Sequence, residues 1–332
     1  MGNASSDISD IFITGVSGYI GRSILRVIKE EKKKFNIRGV DVVEPPSEFR
    51  DSISFEKLDV RSPDIEKSMR GADVVIHLAF ILNPPKDREV ARSINLDGTR
   101  NVLSAAKKNK VKKVIVLTSA TVYGAHPDNP LFMKEDQPIR GDLNYGFWYS
   151  EDKAVQDRIT QAFAKENPDI SVFIVRPVIV FGENVDNYIA QGFFKPPIVS
   201  ILTKNIPFQF IHELDVARAI VLMVESDLQG PFNLAGDGVV TLKRAAEIMG
   251  KPCFKIPGPL QVPMVNLMKR LGILDKNIPI AILDFFRYPW VLDTQRAREE
   301  LKFSPQISSE EAFRRAWESY RTKKKNNKRK QN

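Results

Sequence analysis

Tyr149 and Lys153 stand four residues apart at the start of a stretch, about 147–167, whose apolar spacing predicts a long helix. That spacing puts the phenol and the ammonium on one helical face. A free phenol titrates at about 10, too high for a base at neutral pH. A neighbouring ammonium favours the phenolate and brings that value down. Ser119 follows the apolar run Lys113 to Thr118, within Thr118-Ser119-Ala120-Thr121-Val122-Tyr123-Gly124. Ligands of a parallel sheet bind at the carboxyl ends of its strands, so Ser119 is expected in the same cleft. Its hydroxyl would hold a substrate oxygen while Tyr149 exchanges the proton. Such a set would serve proton exchange at a substrate hydroxyl, the partner step of a hydride transfer. Tyr320 and Lys324 repeat the spacing in a basic tail, with no such strand beside them.

A hydride acceptor has its own signature near the amino terminus. Ile11 to Thr14 reads as a strand, and Gly15-Val16-Ser17-Gly18-Tyr19-Ile20-Gly21 leads into a helix over 19–32. Gly15 would permit the tight turn, Gly18 the approach of a pyrophosphate, and Gly21 close packing of helix on sheet. The helix start offers unpaired N–H groups and a positive dipole end to phosphate. Asp41 ends the next strand, twenty residues beyond Gly21, where an acid accepts ribose hydroxyls and repels a 2′-phosphate. Val42 and Val43 follow it rather than Arg or Lys, which favours NAD over NADP. Asp59, before Val60, could reach the adenine, or could simply open the turn before Pro63.

These residues need a sheet to position them. Further strands are predicted at 35–41, 54–58, 73–78, 113–118, 171–176 and 231–234, with helices near 63–70, 86–109, 147–167 and 213–225 between them. Such alternation predicts an α/β, doubly wound parallel Rossmann sheet. The remainder predicts a smaller, mostly helical C-terminal substrate-binding domain. We divide the chain into an NAD-binding domain at 10–178 and 207–236, a substrate-binding domain at 179–206 and 237–320, and a disordered basic tail at 321–332.

Composition removes other classes. One cysteine, Cys253, and three scattered histidines give no disulfide framework and no metal site. The net charge of +9 is concentrated at 321–330, which holds seven cations and no acid, so the body is near neutral and no specific nucleic-acid partner is predicted. No apolar run reaches the length of a membrane span and no secretory signal is read, so the expectation is a cytoplasmic protein. Met1-Gly2-Asn3-Ala4-Ser5-Ser6 fits an acylation pattern, against which chance recurrence weighs, and membrane association is not predicted.

Taken together the motifs resemble the extended short-chain dehydrogenase/reductase family, the NAD-dependent epimerase/dehydratases. The matching stretches are TGVSGYIG at 14–21, Asp41, Asp59-Val60, His77-Leu78-Ala79, TSATVYG at 118–124, YSEDK at 149–153, Arg176-Pro177, HELDVARA at 212–219, FNLAG at 232–236 and DTQRAREELKFS at 293–304. The resemblance implies NAD held by Gly15, Gly18, Tyr19, Ile20, Gly21, Asp41, Asp59, Val60, Leu78, Ala79, Tyr149 and Lys153. It implies Ser119, Tyr149 and Lys153 as the catalytic trio, with Lys153 on the nicotinamide ribose. It also implies a small-molecule substrate and a homodimer built from 90–109 and 147–167.

Within the family, 4,6-dehydratases carry an Asp-Glu pair where this chain has Ala120-Thr121, which disfavours elimination of water. Ser-Ala-Thr-Val-Tyr-Gly is similar to the sugar-nucleotide 4-epimerases. Those carry an Asn for the substrate diphosphate where Ile179 stands here, and an aliphatic side chain donates no hydrogen bond. The leading reading is therefore a sugar-nucleotide 4-epimerase-like enzyme. An alcohol or ketone dehydrogenase on a non-nucleotide substrate is the alternative, and a non-catalytic dinucleotide-binding protein is the alternative of another class.

Candidate substrate contacts are Asn83, Thr121, His126 and Phe147, each of which also has a plain reading as packing or turn structure. His77 reads as a satisfied core imidazole, and His212 and Asp215 as fixing the start of the next helix.

Overall fold

The computed structural model describes residues 8–83, 86–197, 199–201 and 205–331. The acylation pattern at 1–6 and Pro84-Pro85 lie outside them. Seven strands form one sheet: β1 (Asp10–Thr14), β2 (Asn36–Asp41), β3 (Ser54–Lys57), β4 (Val74–His77), β5 (Lys113–Leu117), β6 (Ser171–Pro177) and β7 (Gly230–Leu234). Their order is β7-β6-β5-β4-β1-β2-β3, and every pairing is parallel. The order reverses between β1 and β4, and a crevice opens beyond the carboxyl ends of strands at such a point.

A parallel sheet has to be covered on both faces, and the strand sequences supply two apolar faces. Ile11, Ile13, Val74, Ile76 and Ile115 point into one core, while Phe12, Val75, Val114 and Val116 point into the other. The first core is closed by α1 (Tyr19–Glu30) and α7 (Glu213–Glu225), the second by α2 (Ile65–Ser68), α4 (Gly98–Lys108) and the later turns of α5 (Trp148–Glu166). Helix α1 buries Ile20, Ile24, Val27 and Ile28 at three- and four-residue spacing. Each such side chain stabilises the fold by about 1.5–3 kcal/mol.

The helix expected near 86–109 has three parts: α3 (Arg88–Arg92), a wide π turn (Ser93–Asp97) and α4. Asn95 in the wide turn accepts from the Ile81 backbone N–H at 2.7 Å and donates to Asp152 at 3.0 Å. The inserted residue is thus tied to the loop after β4 and to α5.

Beyond β6 the chain leaves the sheet. Ile179–Phe181 pairs with Phe210–His212, and α6 (Tyr188–Phe194) lies between them in sequence. After β7 come α8 (Leu242–Met249), α9 (Gly258–Arg270), a 3₁₀ segment (Ile280–Phe286), α10 (Gln295–Glu299) and α11 (Ser309–Gln331).

Helix α11 continues through Gln331, into the basic stretch expected to be disordered. Lys and Arg are good helix formers. The start of the tail is also held: Lys323 donates to the Glu183 carbonyl at 3.1 Å, and Arg321 stacks over Trp317.

No helix among the described residues is long and apolar enough to cross a membrane.

Candidate active site

The turn after β1 shows what its glycines are for. Gly15 has φ +72°, and a Cβ there would come within 2.7 Å of the Ala79 backbone nitrogen. A Cβ on Gly21 would lie 2.4 Å from the Val16 carbonyl oxygen. Both positions exclude a side chain. Gly18 caps α1 without a side-chain bond, and the first turn carries no acid. The helix start therefore keeps free N–H groups and its positive end, which suits a pyrophosphate.

Asp41 closes β2 beside this turn. Its carboxylate accepts from the Ser17 and Val43 backbone N–H groups, each at 3.1 Å. A carboxylate has further lone pairs for ribose hydroxyls. Leu78 and Ala79 hold the loop after β4 against β1, through Leu78 N–H to the Thr14 carbonyl at 3.1 Å and Ala79 N–H to Thr14 Oγ1 at 3.4 Å.

Asp59 is engaged by Arg61 at 2.7 Å, which lowers its pKa, and Val60 is buried in the second core against Gly98. Tyr19 lines the crevice with its ring and donates its hydroxyl proton to the buried Glu213 at 2.7 Å.

Tyr149 begins the first turn of α5 and is 8% exposed. Phe80, Phe147 and Trp148 ring it at centroid distances of 5.7, 6.0 and 6.0 Å. Burial among these rings pushes the phenol up to about 12, while a hydrogen bond from Ser119 pulls the other way. Lys153 is also buried. It donates to the Leu117 carbonyl at 2.8 Å and to Gln156 Oε1 at 2.9 Å, and its Nζ lies 3.7 Å from the Phe80 ring centroid. Burial brings Lys153 down to about 7, against the pull of Asp152 and Asp157.

In the protein alone desolvation by burial dominates the phenol, with Ser119 acting against it. Ser119 caps the short 3₁₀ turn Ala120–Tyr123 by accepting from Thr121 N–H at 3.2 Å, which leaves its hydroxyl proton for Tyr149 or a substrate.

Behind this group the polar network is closed. Thr99 spends its hydroxyl proton on the Asn95 carbonyl at 2.6 Å, so His77 Nε2–H donates to Thr99 at 2.9 Å. Nδ1 then accepts from Thr14 at 2.7 Å. Burial holds this imidazole neutral, with its pKa near about 3. It is a satisfied core side chain, as expected. His212 Nδ1 accepts from Leu214 N–H at 3.2 Å and its Nε2 meets Glu183 at 2.8 Å, while Asp215 accepts from the backbone of Gln306 and Ile307.

Three of the recognised stretches interlock away from the crevice. Arg176 pairs with Asp157 at 2.8 Å through two nitrogens and donates to Tyr123 at 2.8 Å, and Tyr123 donates to Asn233 at 2.7 Å. These residues hold β6, β7 and the loop after β5 in register.

One cavity of about 380 Å³ runs from Gly15, Gly18 and Gly21 past Ser119, Tyr149 and Lys153 to the elements beyond β6. Thr121 and Phe147 line it, and Thr121 Oγ1 is buried without a hydrogen-bond partner among the described residues. Among the described residues His126 and Asn83 do not line it. His126 meets the Arg140 carbonyl at 3.1 Å, and Asn83 accepts from Tyr188 N–H at 3.2 Å. Tyr188 does line it, and no motif in the sequence points to that residue.

A single crevice that joins a phosphate-receiving turn to a buried phenol defines a dinucleotide-binding Rossmann protein. Comparison with known proteins narrows the class. The chain belongs to the NAD dependent epimerase/dehydratase family, whose model matches residues 11–235, and its cofactor is NAD. It is 25% identical over 312 residues to an uncharacterised protein of Mycobacterium tuberculosis, covering 91% of this chain and 82% of that one. It is 30% identical over 190 residues to the N-acetyl-alpha-D-glucosaminyl-diphospho-ditrans,octacis-undecaprenol 4-epimerase of Escherichia coli O157:H7, covering 55% and 53%. The fold is that of the UDP-glucose 4-epimerase of Thermus thermophilus solved with NAD, at a TM-score of 0.70 and 18% identity over 94% of this chain and 99% of that one.

Proposed function

We propose that the protein catalyses hydride transfer between NAD and a secondary carbinol or ketone, with Ser119, Tyr149 and Lys153 as its catalytic trio. The observation that carries this reading is the buried Tyr149 phenol, which opens with Ser119 on the same cavity as Gly15 to Gly21. Bound NAD supplies the hydride acceptor and, when oxidised, a positive charge near the phenol. Tyr149 takes the proton from the substrate hydroxyl as the carbon–hydrogen bond breaks. Ser119 donates to the oxygen that becomes the carbonyl, and Lys153 holds the ribose and favours the phenolate.

Net dehydrogenation of a non-nucleotide substrate is the form of this reaction that the site supports best. Ile179 lines the cavity, and Lys153 is the one charged side chain doing so among the described residues. Epimerisation is the second reading, favoured by the 4-epimerase relative. Absorbance of NADH during turnover separates them, since net accumulation excludes epimerisation. Replacing Tyr149 with Phe is the test of the trio: turnover should fall by about 10²- to 10⁴-fold while NAD binding stays largely intact. Turnover retained in that variant would contradict the proposal. A homodimer through residues 90–109 and 147–167 belongs to the same reading and is checked by light scattering.

A further inference from the structure

The cavity changes character along its length. At the catalytic end it offers the hydroxyls of Ser119, Thr121, Tyr149 and Tyr188. Beyond Pro177 its described walls are aliphatic, thioether and aromatic, as at Phe193, Met249, Met264, Met268, Leu283 and Phe286. The polar lining residues there are Asn187 and Tyr188. Asn187 Oδ1 accepts from Ala190 N–H at 3.0 Å to cap α6.

Tyr188 is different. It is 5% exposed, its ring stands 6.4 Å from that of Trp148, and its hydroxyl has no hydrogen-bond partner among the described residues. A buried hydroxyl left without a partner is costly, and such a group calls for an acceptor that arrives with a ligand. The same Trp148 ring stands 6.0 Å from that of Tyr149, so the two tyrosines flank one indole and line the same end of the cavity.

We infer that the substrate is an apolar, lipid-like secondary alcohol or ketone, its oxygen-bearing end received by Tyr149, Ser119 and the Tyr188 hydroxyl and its hydrocarbon body by the wall of α6, α8, α9 and the 280–286 segment. A sugar diphosphate carries two negative charges and many hydroxyls into the same place. Those groups would lose water and meet hydrocarbon, which opposes binding. A hydrocarbon body gains free energy for the area it removes from water. Met249, Met264 and Met268 add unbranched, adaptable side chains to the wall, which suits a flexible or fused-ring body.

This inference rests on the hydride-transfer reading for the identity of the reacting group, but it is tested by binding. The protein is saturated with NADH and titrated with 2-decalone, a bicyclic ketone, and separately with UDP-glucose, each followed by calorimetry. The expected result is saturable binding of 2-decalone and none of UDP-glucose. Tyr188→Phe should weaken 2-decalone by up to about tenfold, the worth of one buried hydrogen bond. It should also leave the free protein as stable as before or more so, because an unpartnered hydroxyl has gone. Met268→Arg, which puts a charge in the wall, should abolish 2-decalone binding while NADH still binds.

UDP-glucose binding with 2-decalone excluded would overturn the inference. Unchanged 2-decalone affinity in Tyr188→Phe would overturn it too, and that arm decides if Met268→Arg does not fold. Binding of 2-decalone without its reduction would leave the substrate class standing and count against the hydride-transfer reading alone.

Discussion

The Lys153 ammonium nitrogen lies 3.7 Å from the centroid of the Phe80 ring. A cation placed there is attracted by the ring face, yet it is also removed from water, and the second effect wins. Burial takes Lys153 from 10.5 down to about 7. Near neutral pH the group is thus shared between ammonium and amine, and it stands beside a phenol raised to about 12. The free site is electrostatically quiet, and a cationic ring entering the crevice would change both groups together.

The Lys153 shift fixes a sign for stability. Between about pH 7 and pH 10.5 the unfolded chain binds a proton on Lys153 that the native protein has released, so stability rises with pH across that window. Below about pH 7 both states are protonated and the slope ends. Urea unfolding at about pH 6.5 and about pH 9 should therefore show a larger gain in the wild type than in Lys153→Met. Other groups titrate alike in both proteins and cancel. An equal gain in the two would show that Lys153 keeps its proton in the native state.

Gly15 and Gly71 have nearly the same backbone angle, φ +72° and +74°, but only Gly15 has backbone packed where a Cβ would go. Gly71→Ala should cost about 1–2 kcal/mol, the expense of the left-handed conformation alone. Gly15→Ala should cost more than that and abolish NAD binding, because the turn must shift away from Ala79. Denaturation and calorimetry on the two variants check the contrast, and equal losses would refute it.

Asp41 holds the turn with two backbone bonds and keeps lone pairs for a ribose. Asp41→Ala should lower NAD affinity by roughly 10- to 100-fold, as expected for losing hydrogen bonds to a charged acceptor. NADP should lose less, because the repulsion of its 2′-phosphate goes with the carboxylate. The ratio of the two affinities is the quantity to measure, and an unchanged ratio would remove Asp41 from the ribose site.

The Arg176–Asp157 pair is 1% and 0% exposed, whereas Arg26–Glu48 is 33% and 56% exposed. Asp157→Ala leaves a buried guanidinium half-paired and should cost about 3–5 kcal/mol. Glu48→Ala should cost less than about 1 kcal/mol. Urea midpoints of the two variants test this, and similar midpoints would mean that the Arg176 charge is compensated elsewhere.

Much of this framework is legible in the sequence because it rests on backbone geometry. Gly15 and Gly21 mark places where only hydrogen fits, and the apolar runs of β1, β4 and β5 announce strands covered on both faces. Tyr149, Lys153 and Ser119 could be brought together on paper because one helix face and one strand end fix them. Other features depend on packing that no motif records. Phe80 decides the environment of Lys153 from a loop, and the wall of the cavity is drawn from ordinary apolar residues of α6, α8 and α9. Tyr188 has no neighbour in sequence that explains it; its orphaned hydroxyl emerges only when α6 lies against α5. Helix α11 enters the basic tail already anchored by the buried Phe313 and Trp317, which composition alone does not record.

The most direct test is a difference titration of the Tyr149 phenol, following phenolate absorbance in the wild type and in Tyr149→Phe, with and without saturating NAD. Without NAD no phenolate assigned to Tyr149 should form until the pH approaches about 12. With NAD the wild type should gain a phenolate at clearly lower pH that the variant lacks. A Tyr149 titration that NAD leaves unmoved would contradict the account at its centre.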